Sequence, residues 1–141
     1  MLEIIQQKLP TYGQLERELS QTISQLYREE LGRSPSKTTC KFVSNNLAIV
    51  IEDSLTAIEQ VLADTQESND TIGELNSAIN QVIRAKIKAT IEQVLSVEVK
   101  DILFDTSIQT KRASAIATLS KIPQVRNPES IPKNRSSKKE L

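Results

Sequence analysis

Histidine is missing from this 141-residue chain. With it go Ser-His-Asp triads, Cys-His dyads, imidazole proton relays and every His-containing metal site. Cysteine occurs once, at Cys40, so neither an intrachain disulfide nor a CxxC redox or zinc pair can form. Gly13, Gly32 and Gly73 are the only glycines, too dispersed for a phosphate-cradling loop. Tryptophan is absent, and two tyrosines with two phenylalanines leave little for stacking on bases. An excess of charge is lacking too. Eighteen Lys and Arg balance eighteen Asp and Glu, which argues against a general polyanion binder and against a strongly acidic mimic. No run approaches the ~18 consecutive apolar residues of a membrane span. Met1 to Pro10 has no basic stretch leading into a long apolar one, so no secretory signal is expected and the cytoplasm is the expected compartment. The final Lys138-Lys139-Glu140-Leu141 is close to an endoplasmic-reticulum retention tetrapeptide, and without a route into that compartment it is a coincidence.

What is present reads as a small globular protein. Thr11 with Gln14 forms a capping box, and Leu15, Leu19, Ile23, Leu26, Tyr27 and Leu31 follow at steps of three and four. This spacing predicts a helix from about Tyr12 to Leu31, ended by a left-handed Gly32 and by Pro35. From Thr38 the period changes to two. Thr38–Ser44 and Leu47–Glu52 read as strands joined by Asn45-Asn46, a pair that tolerates the positive φ of a tight turn. That turn predicts Phe42 opposite Ile49, Cys40 opposite Ile51 and Ser44 opposite Leu47 on a core face. On the other face Val43 meets Ala48, Lys41 meets Val50, and Thr39 meets Glu52, a small and mixed surface open to solvent or to a partner.

Thr56 with Glu59 caps a short helix, and Thr71 with Glu74 caps a long one carrying Ile72, Leu75, Ile79, Val82, Ile83, Ile87, Ile91, Val94 and Leu95. Val97 to Phe104 reads as a strand whose apolar parity shifts between Val99 and Ile102, the mark of a bulge. Asp105 to Thr110 reads as a loop, and Arg112 to Leu119 as a returning strand whose alanines would also suit a helix. The predicted architecture is α+β, a two-layer domain of order α-β-β-α-α-β-β with helices on one face of an antiparallel sheet. It occupies residues 1–120. Residues 121–141, with Pro123, Pro128 and Pro132 among Lys121, Arg126, Lys133, Arg135, Lys138 and Lys139, are expected to form a flexible, disordered basic tail.

Few side chains invite chemistry. Glu16, Glu18, Glu29 and Glu30 read as a solvated helix face. Asp101 and Asp105 bracket the third strand and read as edge and turn polarity rather than an acid–base pair. Cys40, on the core face, reads as an inert small hydrophobe. No catalytic residue, cofactor or metal is expected. The basic tail, with Arg84, Lys86 and Lys88 on the long helix, is the alternative source of function, a grip on nucleic acid or an anionic surface.

The segment Gly13-Gln14-Leu15-Glu16-Arg17-Glu18-Leu19-Ser20 resembles the MpsC-like family of small bacterial proteins. The likeness continues through Leu26-Tyr27-Arg28-Glu29-Glu30-Leu31-Gly32-Arg33-Ser34-Pro35 and the hairpin to Leu55-Thr56-Ala57-Ile58-Glu59. Family members usually carry glycine where Ser34 stands, a difference that touches turn geometry. In size, architecture and an Ile-, Gln-, Asn- and Ser-rich style the chain is also similar to CcmS-type carboxysome assembly chaperones. The resemblance implies an accessory role in ion or bicarbonate transport, or in carboxysome assembly, and supplies no catalytic residues. The expected function is therefore a non-enzymatic assembly factor or adaptor. It would capture an extended segment of another protein on the sheet face carrying Lys41, Val43, Ala48 and Val50, aided by strand addition at a free edge. Nucleic acid is disfavoured as a partner, and membrane contact is expected only through the partner protein.

Overall fold

A computed structural model of the chain describes residues 8–65 and 69–133. Helix α1 spans Tyr12–Leu31, with the Thr11–Gln14 capping box fully formed and Gly32 at φ 74° closing its C-terminus. Strands β1 (Lys37–Val43) and β2 (Asn46–Glu52) form a hairpin. Helix α2 (Ala57–Asp64) follows behind a second complete capping box, Thr56 with Glu59. Helix α3 covers Asn69–Leu95, so Thr71 lies inside it and not at its cap. Strands β3 (Val99–Ser107) and β4 (Arg112–Leu119) complete an antiparallel sheet of order β1-β2-β4-β3. The architecture is the expected α+β two-layer domain.

The two-residue period of the strands sorts their side chains by face. Cys40 and Phe42, Leu47, Ile49 and Ile51, Ala113, Ala115, Ala117 and Leu119, and Val99 with Ile102 are buried in one core. Leu15, Leu19, Ile23 and Tyr27 of α1 and Ile83, Ile87, Ile91 and Leu95 of α3 join them. Both helical sets recur at three- and four-residue steps, one stripe per helix. The alanines of β4 adopt strand conformation because β4 lies between two pairing partners, and sheet hydrogen bonding overrides their helical preference. Their small side chains leave room for the helices' larger ones.

Three further details differ from the sequence reading. The β1–β2 turn is Ser44-Asn45, not Asn45-Asn46, so the register is displaced by two residues: Phe42 faces Leu47, Cys40 faces Ile49, and Lys41 faces Ala48. An even displacement leaves every residue on its expected face. The cause is long-range. Asn45 donates from Nδ2 to the Leu119 carbonyl at 2.9 Å and accepts the Leu119 N–H at 2.8 Å. This holds Asn45 in the turn and leaves the positive φ of 54° to Ser44. Strand β3 extends to Ser107, beyond the expected loop start at Asp105, because Asp105, Thr106 and Ser107 all pair with β4. The expected irregularity is present, with the register slipping between Val99 and Asp101.

The third difference concerns the tail. Residues 121–133 pack against the domain instead of forming a disordered extension from 121. Val125 and Ile131 belong to the core, the Arg126 N–H donates to the Pro10 carbonyl, and the Ser44 N–H donates to the Pro132 carbonyl. Asn127 Oδ1 accepts the Tyr12 N–H at 3.0 Å. Two well-spaced apolar residues suffice to anchor a polar, proline-containing segment once the first turn of α1 supplies hydrogen-bonding groups. The remainder of the expected tail, 134–141, lies outside the described residues.

Ile131, 2% exposed, tests this arrangement. Ile131→Ala should cost about 2–5 kcal/mol in urea unfolding; an unchanged midpoint would return the segment to solvent.

Candidate functional site

The helices cover one face of the sheet, and the opposite face is a grid of outward side chains. Across one row stand Lys41, Ala48, Ile116 and Leu103, drawn from β1, β2, β4 and β3. Thr39, Val50, Ser114 and Asp105 form the next row, and Val43, Asn46, Thr118 and Asp101 the row on the other side. Leu103 is 65% exposed and Ile116 47% exposed, with Val43, Ala48 and Val50 half-buried beside them. The four residues expected to contact a partner, Lys41, Val43, Ala48 and Val50, therefore share one face. Leu103 and Ile116 extend its apolar centre and were missed. Their signal was the alternation itself: Ile102 turns inward after the bulge, and the buried odd-numbered residues of β4 place Ile116 outward.

The sheet edges are tied down by charged groups from the helices. On the β1 edge, Glu16 Oε2 accepts the Phe42 N–H at 2.8 Å, and its other oxygen stands 3.8 Å from Lys41 Nζ. Glu16 is only 7% exposed, which corrects its reading as part of a solvated helix face. On the β3 edge, Arg84 Nε donates to the Ile102 carbonyl at 3.2 Å, and Glu92 Oε2 accepts the Val99 N–H at 3.0 Å. Helix-borne caps of this sort blunt edge pairing. An incoming strand would have to displace them, so the face offers the less obstructed surface.

The remaining candidates resolve individually. Asp101 and Asp105 both lie on the outer face of β3, each two residues from Leu103 and on opposite sides of it, and are exposed. Lys86 pairs with Glu30 at 3.1 Å, Arg84 is engaged on β3, and Arg126 Nε donates to the Leu9 carbonyl at 3.2 Å. Three of the basic residues considered for anion binding thus serve intramolecular contacts. Glu59, 1% exposed, accepts from the Thr56 N–H at 3.0 Å and from Asn76 Nδ2 at 2.6 Å. The chain of bonds continues from Asn80 to Asn76 and from Thr106 to Asn80, linking α2, α3 and β3. This buried carboxylate is both a helix cap and a tie between layers. Among the described residues, no group of three Cys, Asp or Glu side chains is placed to hold a metal ion.

Cys40 is buried at the β1–α1 contact. Burial chiefly, with the nearby Glu16 charge, raises its thiol from 9.0 to about 11, against a lowering hydrogen bond from Ser20. Tyr27 is likewise raised by burial and by Glu59. Both groups are held in their neutral forms, the opposite of an activated nucleophile.

Fold and surface together define a small two-layer α+β protein with a sealed core and one partly apolar sheet face open. Over residues 11–121 the chain matches the family model described as "MpsC: Na+-translocating membrane potential-generating system (MpsC)", and it belongs to that family. No curated protein and no solved structure matches it.

Two measurements check this local chemistry. Glu16→Ala should destabilise by about 1–3 kcal/mol by leaving the Phe42 N–H unpaired, while Glu16→Gln, which keeps an acceptor, should cost less in the same chemical denaturation. For Cys40, the folded value lies above the free value of 9.0. Its contribution to stability is therefore whole below pH 9.0 and is lost progressively as pH rises toward about 11. Cys40→Ala should flatten that part of the stability–pH curve. A thiol reagent at about pH 8 should leave the folded protein unmodified and label it only after unfolding.

Proposed function

We propose that this chain is a non-enzymatic, cytoplasmic accessory protein of a Na+-translocating membrane potential-generating system, acting by docking another polypeptide on the open face of its sheet. The observation that carries this reading is the exposed Leu103 and Ile116, contiguous in register with Ala48 and Lys41. Large apolar side chains grouped on one side of a domain with a closed core are a mark of protein contact. The family description supplies the system, and it favours ion translocation over the carboxysome as the setting. No helix among the described residues is long and apolar enough to cross a membrane, so the membrane is reached through the partner. The raised Cys40 and Tyr27 support a binding role over a catalytic one.

The face reads as a platform for a segment of a membrane component, with Val50 on inner strand β2 and Lys41 on edge strand β1. Tagged wild-type protein should co-purify with the translocating system's membrane subunits from detergent-solubilised host membranes. The K41E/V50E double variant should lose at least ~90% of that capture while keeping its circular dichroism spectrum, since a buried unpaired charge costs several kcal/mol at an interface. A folded variant that captures those subunits as well as wild type would overturn the assignment of this face.

A further inference from the structure

The outer face carries a charge pattern that selects its occupant. Its β1 column is basic, with Lys37 and Lys41, and its β3 column is acidic, with Asp101 and Asp105. Between them the middle row sets the large Ile116 on β4 beside the small Ala48 on β2. We infer that the face pairs with a second copy of itself, two sheets stacked about a two-fold axis parallel to the strands. This inference rests on the reading of the face as a protein-docking surface and makes a second copy its occupant in the free protein, one that must dissociate before the membrane component can dock.

The geometry follows from the register. A two-fold axis along the strands, running between β2 and β4, exchanges the left and right halves of the grid. Lys41 of one copy then lies above Leu103 of the other, midway between that copy's Asp101 and Asp105. Residues two apart on a strand are about 6.7 Å from each other along it, so the lysine's flexible stem can reach either carboxylate. Ile116 lies over the other copy's Ala48, and the reverse contact repeats by symmetry, so large fills small twice. The other two-fold in the plane, across the strands, would set Lys41 against Lys41 and Asp105 against Asp101. Like charges so placed repel, which leaves one orientation. Aligned stacking of this kind is a common way for two sheets to pack.

Size sets the strength. Four strands about 4.8 Å apart and about seven residues long give a footprint of roughly 450 Å² on each copy, about 900 Å² in all, which is below the roughly 1,200 Å² where stable interfaces begin and in the range of weak, transient ones. The pair should accordingly form and dissociate with concentration. Lys41 must also exchange its 3.8 Å approach to Glu16 for the other copy's carboxylates. Its 70% exposed side chain leaves it free to do so.

Sedimentation velocity on the full chain, from about 1 μM to about 1 mM, tests the inference over the range expected for a small interface. Wild type should pass reversibly from monomer to dimer. Ile116→Glu should be monomeric throughout. K41D and D101K/D105K should each weaken self-association at least tenfold, because each homodimer then opposes like charges at both symmetry-related contacts. Mixed in equal amounts, those two variants should form a heterodimer at least as tight as the wild-type pair, since both contacts regain opposite charges. Circular dichroism verifies that each variant is folded, and if K41D fails to fold, K41S mixed with D101K/D105K replaces it and should show partial recovery, because Lys41 of the charge-reversed copy still meets Asp101 and Asp105 of the K41S copy while the second contact is neutral.

A monomeric wild type at every concentration would overturn the inference. So would a dimer indifferent to I116E, or charge variants that fail to recover on mixing. In each case the docking reading keeps its separate test, the loss of membrane-subunit capture by K41E/V50E.

Discussion

The molecule is shaped by having helix enough for only one side of its sheet. Two of its helices, α1 and α3, are long and carry continuous apolar stripes, and together with the inward residues of four strands they close one core. The third, α2, is eight residues long and is tied to α3 through Glu59 and Asn76. Among the described residues nothing remains to cover the second face. Every strand must nevertheless carry alternate side chains there, because the extended backbone gives no other choice. The composition of that face is consequently a direct statement about its surroundings. It is neither the charged surface of a sheet that meets only water nor the continuous apolar surface of a buried one.

The same constraint explains the edge caps. A sheet with one open face and two edges has two ways to recruit another chain, by its backbone or by its side chains. Glu16, Arg84 and Glu92 occupy backbone groups of the outer strands, each reaching from a helix already fixed by the core. Buried carboxylates are costly unless well hydrogen-bonded, and Glu16 meets that condition by serving the edge. Membership of the MpsC family associates the chain with a Na+-translocating membrane potential-generating system. The deeply buried, neutral Cys40 and Tyr27 fit a protein whose interior is for packing.

Much of this was legible from local signals. The two capping boxes, the left-handed Gly32 and the apolar stripe of α1 are short-range features with specific chemistry, and the structure reproduces them. The bulge near Val99 could be read because a change of parity within one strand has few other causes. The set expected to face a partner, Lys41, Val43, Ala48 and Val50, fell on one surface despite the displaced register, since a two-residue slip preserves faces. What escaped depended on distant partners. Asn45 bonds to Leu119 and so decides the turn. Phe42's N–H is met by Glu16 from a helix remote in sequence. Val125 and Ile131 look incidental in a polar segment until the core they complete exists. Leu103 and Ile116 required the β3–β4 register before they could be set beside Ala48.

The strand order has a kinetic meaning. Each hairpin, β1–β2 and β3–β4, closes over a two- to four-residue connection, but the seam between β2 and β4 joins Glu52 to Arg112 and Asn46 to Thr118. Everything from Asp53 to Lys111, including the α2–α3 excursion, must be looped out before that central seam can zip, at a cost in chain entropy that is repaid only once it has formed. The two halves can thus assemble early as local units, and their meeting at the middle of the sheet becomes the slow, committing event of folding. The Asn45–Leu119 pair of bonds, at the end of that seam, is the latch that makes the meeting register-specific.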